Sequence, residues 1–173
     1  MATCANCGRT IAFGGPKEGE QRFCGKPCQA AFHLNRASSQ LPDGFIQEKA
    51  AEVHAGPCPK CGGPGPVDVH ASHWVWSAGL ITRWSRKTEL CCKRCGNGAK
   101  WKATAFSGLL GWWGFPWGLL MTPAQIIRNV GYMISGPDPT RPSDKLVEMV
   151  RVRLSSQLLK EERESAGVGA AKG

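Results

Sequence analysis

A series of small cysteine-rich α+β modules, followed by an apolar membrane-type helix or hairpin and an amphipathic C-terminal helix, is the fold class this sequence predicts. Three observations predict it. Eight of the nine cysteines fall in four close pairs. Residues 103–127 run for 25 positions without a charged side chain. Apolar residues then recur at helical spacing from Leu146 to Leu158. At 173 residues the chain has room for one ordinary domain or two to three very small ones. Its 22 glycines and 12 prolines exclude a long coiled coil, and 42% hydrophobic residues exclude simple disorder. The cysteines sit in short turns and not in apolar runs, which argues against one large-core enzyme domain.

The pairs are Cys4-Ala5-Asn6-Cys7, Cys24-Gly25-Lys26-Pro27-Cys28, Cys58-Pro59-Lys60-Cys61 and Cys92-Lys93-Arg94-Cys95. Two sets of four thiolates are the ligand complement of two tetrahedral Zn(2+) sites. Thiolates two or three residues apart can both point inward from one tight turn. The competing use, a disulfide scaffold, needs an oxidising compartment. Residues 1–8 carry neither a basic n-region nor an apolar h-region, so no signal peptide is expected. Two zinc ions per chain are expected. One falls to Cys4, Cys7, Cys24 and Cys28, the other to Cys58, Cys61, Cys92 and Cys95. Cys91 is the spare thiol. It offers an alternative ligand through a C-x3-C with Cys95, but Cys92-Lys93-Arg94-Cys95-Gly96 repeats the pattern Cys58-Pro59-Lys60-Cys61-Gly62, which favours Cys92. Cys91 is expected as a buried thiol at a strand end.

Residues 1–37 form the first module. Arg22-Phe23-Cys24 has the character of a strand end, and Gln29–Ala37 that of a short helix with Pro27 suited to its first turn. A thiolate in that turn is favoured by the helix N-terminus. A knuckle, a hairpin and a helix carrying the second pair make a treble-clef arrangement. The stretch Arg22–Phe32 resembles the second half of MYM-type and related treble-clef fingers, over about 30 residues. The resemblance implies a small binding or scaffold finger, without a specific partner. His33 is a possible replacement ligand, but four thiols already suffice.

Residues 38–57 are a linker with a short helical stretch at about 45–54. Residues 58–102 form the second module. Val67–His70, His73–Trp76, Leu80–Trp84 and Thr88–Cys91 are strand-like in composition. Two cysteine knuckles bridged by antiparallel strands make a zinc ribbon, and the Cys58-Pro59-Lys60-Cys61-Gly62-Gly63 start is similar to many bacterial zinc ribbons. His70 and His73 are expected to be strand residues, not ligands. Four thiolates per zinc leave no open position, so both sites are expected to be structural.

The uncharged run lies in an apolar, Trp/Gly-rich segment, 103–135. As one helix, 25 residues would span roughly 37 Å against a hydrocarbon core of about 30 Å. Its strictly apolar part, 105–121, would span about 25 Å. Pro116 and the glycines disfavour a continuous helix in water, and Gly111, Gly114 and Gly118 permit close helix packing. Three arrangements compete: a single span, a hairpin turning at Gly114-Phe115-Pro116 or Thr122-Pro123 and dipping into one leaflet, and a buried core element. Pro116 at the centre favours the broken form among the membrane arrangements.

The net charge of +9 is concentrated in 58–142, which holds ten basic and three acidic residues. A basic region suggests nucleic acid, anionic lipid or an acidic protein. Residues 83–102 carry seven basic residues against Glu89, while 128–147 carry Arg128, Arg141 and Lys145. By the positive-inside rule the second module is expected on the cytoplasmic face of a membrane, where thiols stay reduced. The second module, running into Gly111-Trp112-Trp113-Gly114-Phe115-Pro116-Trp117-Gly118, resembles uncharacterised bacterial membrane-associated zinc-ribbon proteins over about 58–142. That resemblance implies location, not activity.

Residues 136–142 are a Pro-rich linker, 143–164 an amphipathic helix capped by Ser143 or Asp144, and 165–173 a disordered tail. No phosphate-binding loop, dinucleotide fingerprint, metalloprotease motif or nucleophile elbow is present. The expected function is a non-catalytic, membrane-associated zinc adaptor with an anionic lipid surface and a protein as partners, and no small-molecule substrate. A nucleic-acid-binding zinc protein is the alternative, with Trp74, Trp76 and Trp84 stacking on bases beside Arg83, Arg86 and Lys87. A thiol or metal sensor built on Cys91 is the third.

Overall fold

The computed structural model describes residues 2–170, with side chains described up to 165. It is a small α+β structure with two compact units, Met1–Gln47 together with Glu148–Gly173, and Glu48–Val147.

The first unit opens with two short antiparallel pairs. β1 (Ala2–Thr3) pairs with β2 (Thr10–Ile11), and β3 (Lys17–Glu18) with β4 (Gln21–Arg22). One backbone bond joins the pairs, Ala5 N–H to the Arg22 carbonyl at 2.9 Å, and another, Phe23 N–H to the Pro16 carbonyl at 3.0 Å, extends the β3–β4 hairpin. Helix α1 (Lys26–Ser39) follows with Pro27 in its first turn, where a missing N–H costs no hydrogen bond. Phe23, Ile11 and Cys4 form a small buried core with Phe32 and Cys28 against it. Helix α2 (Asp43–Ala55) begins in this unit, and α5 (Asp144–Ala170) ends in it; Arg151 donates to Asp43 at 2.8 Å. The tail expected at 165–173 falls on the last turns of α5 and on residues outside the described ones.

The second unit is built on one long hairpin. β5 (Val67–Ala78) pairs with β6 (Ile81–Cys92) in unbroken register from Val67↔Cys92 to Ala78↔Ile81. Helices α3 (Lys93–Leu110) and α4 (Trp117–Ile134) pack on β5 and on each other. β5 is mostly buried and β6 mostly exposed. Among the described residues β5 has no third strand on its free edge, and side chains pair the amide groups of His73 and the N–H of Val75 there. Asn129 on α4 accepts from His73 N–H and donates to the His73 carbonyl, both at 2.8 Å. Ser107 on α3 accepts from Val75 N–H at 3.0 Å. Two polar side chains thus do for β5 what a neighbouring strand would do. At its other end, Asp68 accepts from Ser143 N–H at 3.0 Å and from its hydroxyl at 2.5 Å, tying the start of α5 to β5. Ser143 Oγ in turn accepts from Leu146 N–H at 3.3 Å, so of the two capping candidates it is Ser143 that caps α5.

The uncharged run does not form the expected membrane-type helix. No helix among the described residues is long and apolar enough to cross a membrane. The chain turns between Leu110 and Trp117, at the Gly114-Phe115-Pro116 position where a break was expected. The reason is steric as well as conformational. A Cβ on Gly111 would collide with Thr122, one on Gly114 with Ser77 and Thr82, and one on Gly118 with the Gly111 carbonyl. Glycine at these three positions lets α3, α4 and the hairpin approach to backbone contact.

Candidate metal centres

In the first unit, the β1–β2 turn presents Cys4 and Cys7. It is closed by Gly8 N–H to the Cys4 carbonyl at 2.9 Å, with Gly8 at φ 69°. Cys24 follows β4, and Cys28 sits in the first turn of α1. The four sulfurs lie within 4.8 Å of one another. Cys24 and Cys28 are 3.3 Å apart, Cys7 and Cys24 3.8 Å. A tetrahedral site with Zn–S bonds of about 2.3 Å separates its sulfurs by about 3.8 Å.

The second unit repeats the plan. Cys58 and Cys61 sit in a turn closed by Gly62 N–H to the Cys58 carbonyl at 2.8 Å and Cys58 N–H to Gly63 at 2.8 Å. Cys92 ends β6 and Cys95 lies in the first turn of α3. These four sulfurs also lie within 4.8 Å of one another, with Cys61 and Cys92 at 3.8 Å. Cys92 N–H donates to Cys58 Sγ at 3.3 Å. The second pair therefore spans a strand–helix junction, whereas a ribbon places it on a second knuckle. Both centres share one layout: turn, hairpin, helix N-terminus.

The electrostatics of the two centres match. Backbone N–H groups of Cys7 and Cys24 bring the Cys4 thiol down to about 6, and the N–H of Cys92 does the same for Cys58. The neighbouring sulfurs push Cys24 up to about 12, Cys28 foremost, and Cys95 likewise, Cys61 foremost. One thiolate forms readily in each set, and its negative charge resists the next. Four thiolates within van der Waals reach need a cation between them. Each tetra-cysteine cluster is able to hold one metal ion, which fits two zinc ions per chain. Zinc would be held by all four cysteines of each set and would supply cross-linking of turn, hairpin and helix.

The remaining candidate ligands lie elsewhere. Cys91 is fully buried against Cys58 and Val67, and burial pushes its thiol up to about 11. Strand alternation places it on the opposite face from Cys92. His33 lies 2.8 Å from Glu18 and outside the cluster. His70 and His73 are buried on β5 and belong to neither set.

What the sequence reading missed is the role of Ser107 and Asn129, together with the outward direction of the apolar residues. The signal was present. Lys100, Ala103 and Ser107 on α3, and Gly118, Thr122, Gln125 and Asn129 on α4, recur at three- and four-residue spacing, and these are the buried positions. The small and polar residues mark the packed face. Comparison with protein-family models, curated proteins and solved structures gave no match.

Proposed function

We propose that the protein is a non-catalytic, zinc-pinned adaptor that works at an anionic membrane surface. The observation that carries this reading is the inverted polarity of α3 and α4. Their packed faces are small and polar, while Trp101, Leu109, Leu120, Ile127 and Ile134 face outward. A helix in water turns its apolar stripe to the core. Contiguous exposed apolar surface marks a partner or a membrane. The shared turn–hairpin–helix layout supports treble-clef-like zinc modules in both units. Four thiolates per ion leave no position for substrate, which supports a structural and not a catalytic metal. The zinc modules would then stand on the reducing, cytoplasmic side and present the protein partner's surface.

Flotation of the zinc-loaded full chain with phosphatidylglycerol-containing vesicles tests this. The chain is expected to float with them and to carry two zinc ions by elemental analysis. A chain that stays dispersed without detergent and does not float would sink the proposal.

Nucleic acid is the second reading, favoured by β6, which exposes Arg83, Arg86 and Lys87 beside Trp84. It predicts single-strand binding that weakens steeply with salt. It gives no role to the apolar face of α4. The sensor reading has little to build on, since Cys91 is fully buried.

A further inference from the structure

The second unit has two turns at one end. The β5–β6 turn at Gly79-Leu80 and the α3–α4 turn at 111–116 are joined by a backbone bridge between Gly79 and Gly114. Both turns project large apolar side chains. Leu80 is 87% exposed, Trp113 and Phe115 each 72%, and Leu120 61%. Trp117, at the start of α4, joins them and is 54% exposed. Three of the seven tryptophans, at 112, 113 and 117, lie in or beside the helix turn, and Trp76 and Trp84 stand on the hairpin level with Arg83. No charged residue lies between Lys102 and Arg128, and between Asp68 and Asp138 the one acidic residue is Glu89.

Basic residues stand behind this tip. Arg83, Arg86, Lys102 and Arg128 are all exposed. Counting along strand and helix, they lie roughly 10–20 Å back from the turns. The Cys58 cluster sits at the root of the hairpin, about 40 Å away by the same rise.

We infer that this double-turn tip inserts into one leaflet of an anionic bilayer, with the basic collar on the lipid phosphates and the zinc cluster held clear of the surface. The inference rests on the membrane reading above and adds which end enters and how deep. An interfacial element buries its apolar part about 5–10 Å into the headgroup–acyl boundary. Cations 10–20 Å behind the tip then reach the headgroup layer, where each contributes to anionic-lipid attraction. Tryptophan is the side chain that suits this boundary, with an apolar body and a polar N–H. Charge also selects the bilayer over a second copy of the chain. Tip-to-tip pairing would bring two collars of the same sign together, whereas anionic lipid neutralises them.

The test uses the full, zinc-loaded chain and vesicles of phosphatidylcholine alone or mixed with phosphatidylglycerol. Binding is expected to require the anionic lipid, with tryptophan emission blue-shifted and quenched by shallow nitroxide lipids. Leu120→Asp and Phe115→Asp should each weaken binding about tenfold or more while retaining two zinc ions, since an acidic side chain is strongly disfavoured at that depth. Ile134→Asp, at the far end of α4, should stay within about threefold of the parent.

If the parent binds vesicles but Ile134→Asp is as damaging as Leu120→Asp, α4 lies flat on the membrane. The tip-first orientation is then wrong while membrane association stands. Binding indifferent to anionic lipid overturns the collar. Absence of vesicle binding, with a dimer that Leu120→Asp converts to monomer, makes a second copy the occupant and overturns both readings.

Discussion

At the scale of the residue, buried polar groups on and beside β5 set the local pH response and edge pairing. His70 packs against Gly96 so closely that a Cβ there would strike the imidazole. Burial, reinforced by the neighbouring Lys100, lowers the His70 pKa from 6.5 to about 4. The unfolded chain takes up this proton below about pH 6.5 and the folded chain only near pH 4. Stability from this group is therefore complete above pH 6.5 and is lost as pH falls from there towards 4, by on the order of 2–3 kcal/mol. The imidazole titration followed by NMR should have its midpoint near 4. His70→Gln should flatten this part of the stability–pH curve and leave the acid release of metal from the cysteines unchanged. A midpoint near 6.5 would contradict the buried environment. Asn129 is the second such residue. Asn129→Leu leaves both amide groups of His73 without partners, and urea denaturation should show a loss of about 2–5 kcal/mol. A loss below about 1 kcal/mol would mean that water replaces the side chain.

At the scale of the element, each cysteine set brings together a turn, a strand end and a helix N-terminus. Sequence spacing was enough to assign both sets, because ligands two or three residues apart leave few ways to point inward. Spacing was not enough to show that Cys92 and Cys95 straddle a strand–helix junction, since a knuckle and a helix start accept the same C-x2-C. Cys58→Ser should lower the zinc content from two to one per chain by elemental analysis. Amide signals of β5, β6 and α3 should collapse, because metal binding supplies much of the folding free energy of such a module. Signals of β1–β4 and α1 should persist. Retention of two zinc ions would show that another donor replaces Cys58. The break between α3 and α4 was legible in Pro116 and its flanking glycines. The outward turn of their apolar faces was not, because a run with no charge looks the same whether its polar minority lines a core or faces water.

At the scale of the whole molecule, the chain has two compact units, each with a cysteine cluster able to hold a metal ion, and α5 begins in one and ends in the other. Removing metal should therefore act on both units. A strong chelator is expected to abolish the near-ultraviolet tryptophan signal of the second unit and the protease resistance of the first, and zinc should restore both. Persistence of either after complete metal loss would show that unit to be held by its apolar core alone. By itself the sequence determined the grouping of eight cysteines, the spare thiol and the basic bias of 58–142, and it offered 114–116 as one of two places for a break. These rest on residue chemistry over short spacings, which tertiary context does not alter. The tertiary structure alone decided that 148–170 joins the N-terminal unit, that Ser107 and Asn129 complete the edge of β5, and that the hairpin turn and the helix turn form one apolar end. Each of these brings together residues some 30 or more positions apart, and their pairing depends on which faces pack, a choice that local periodicity does not encode.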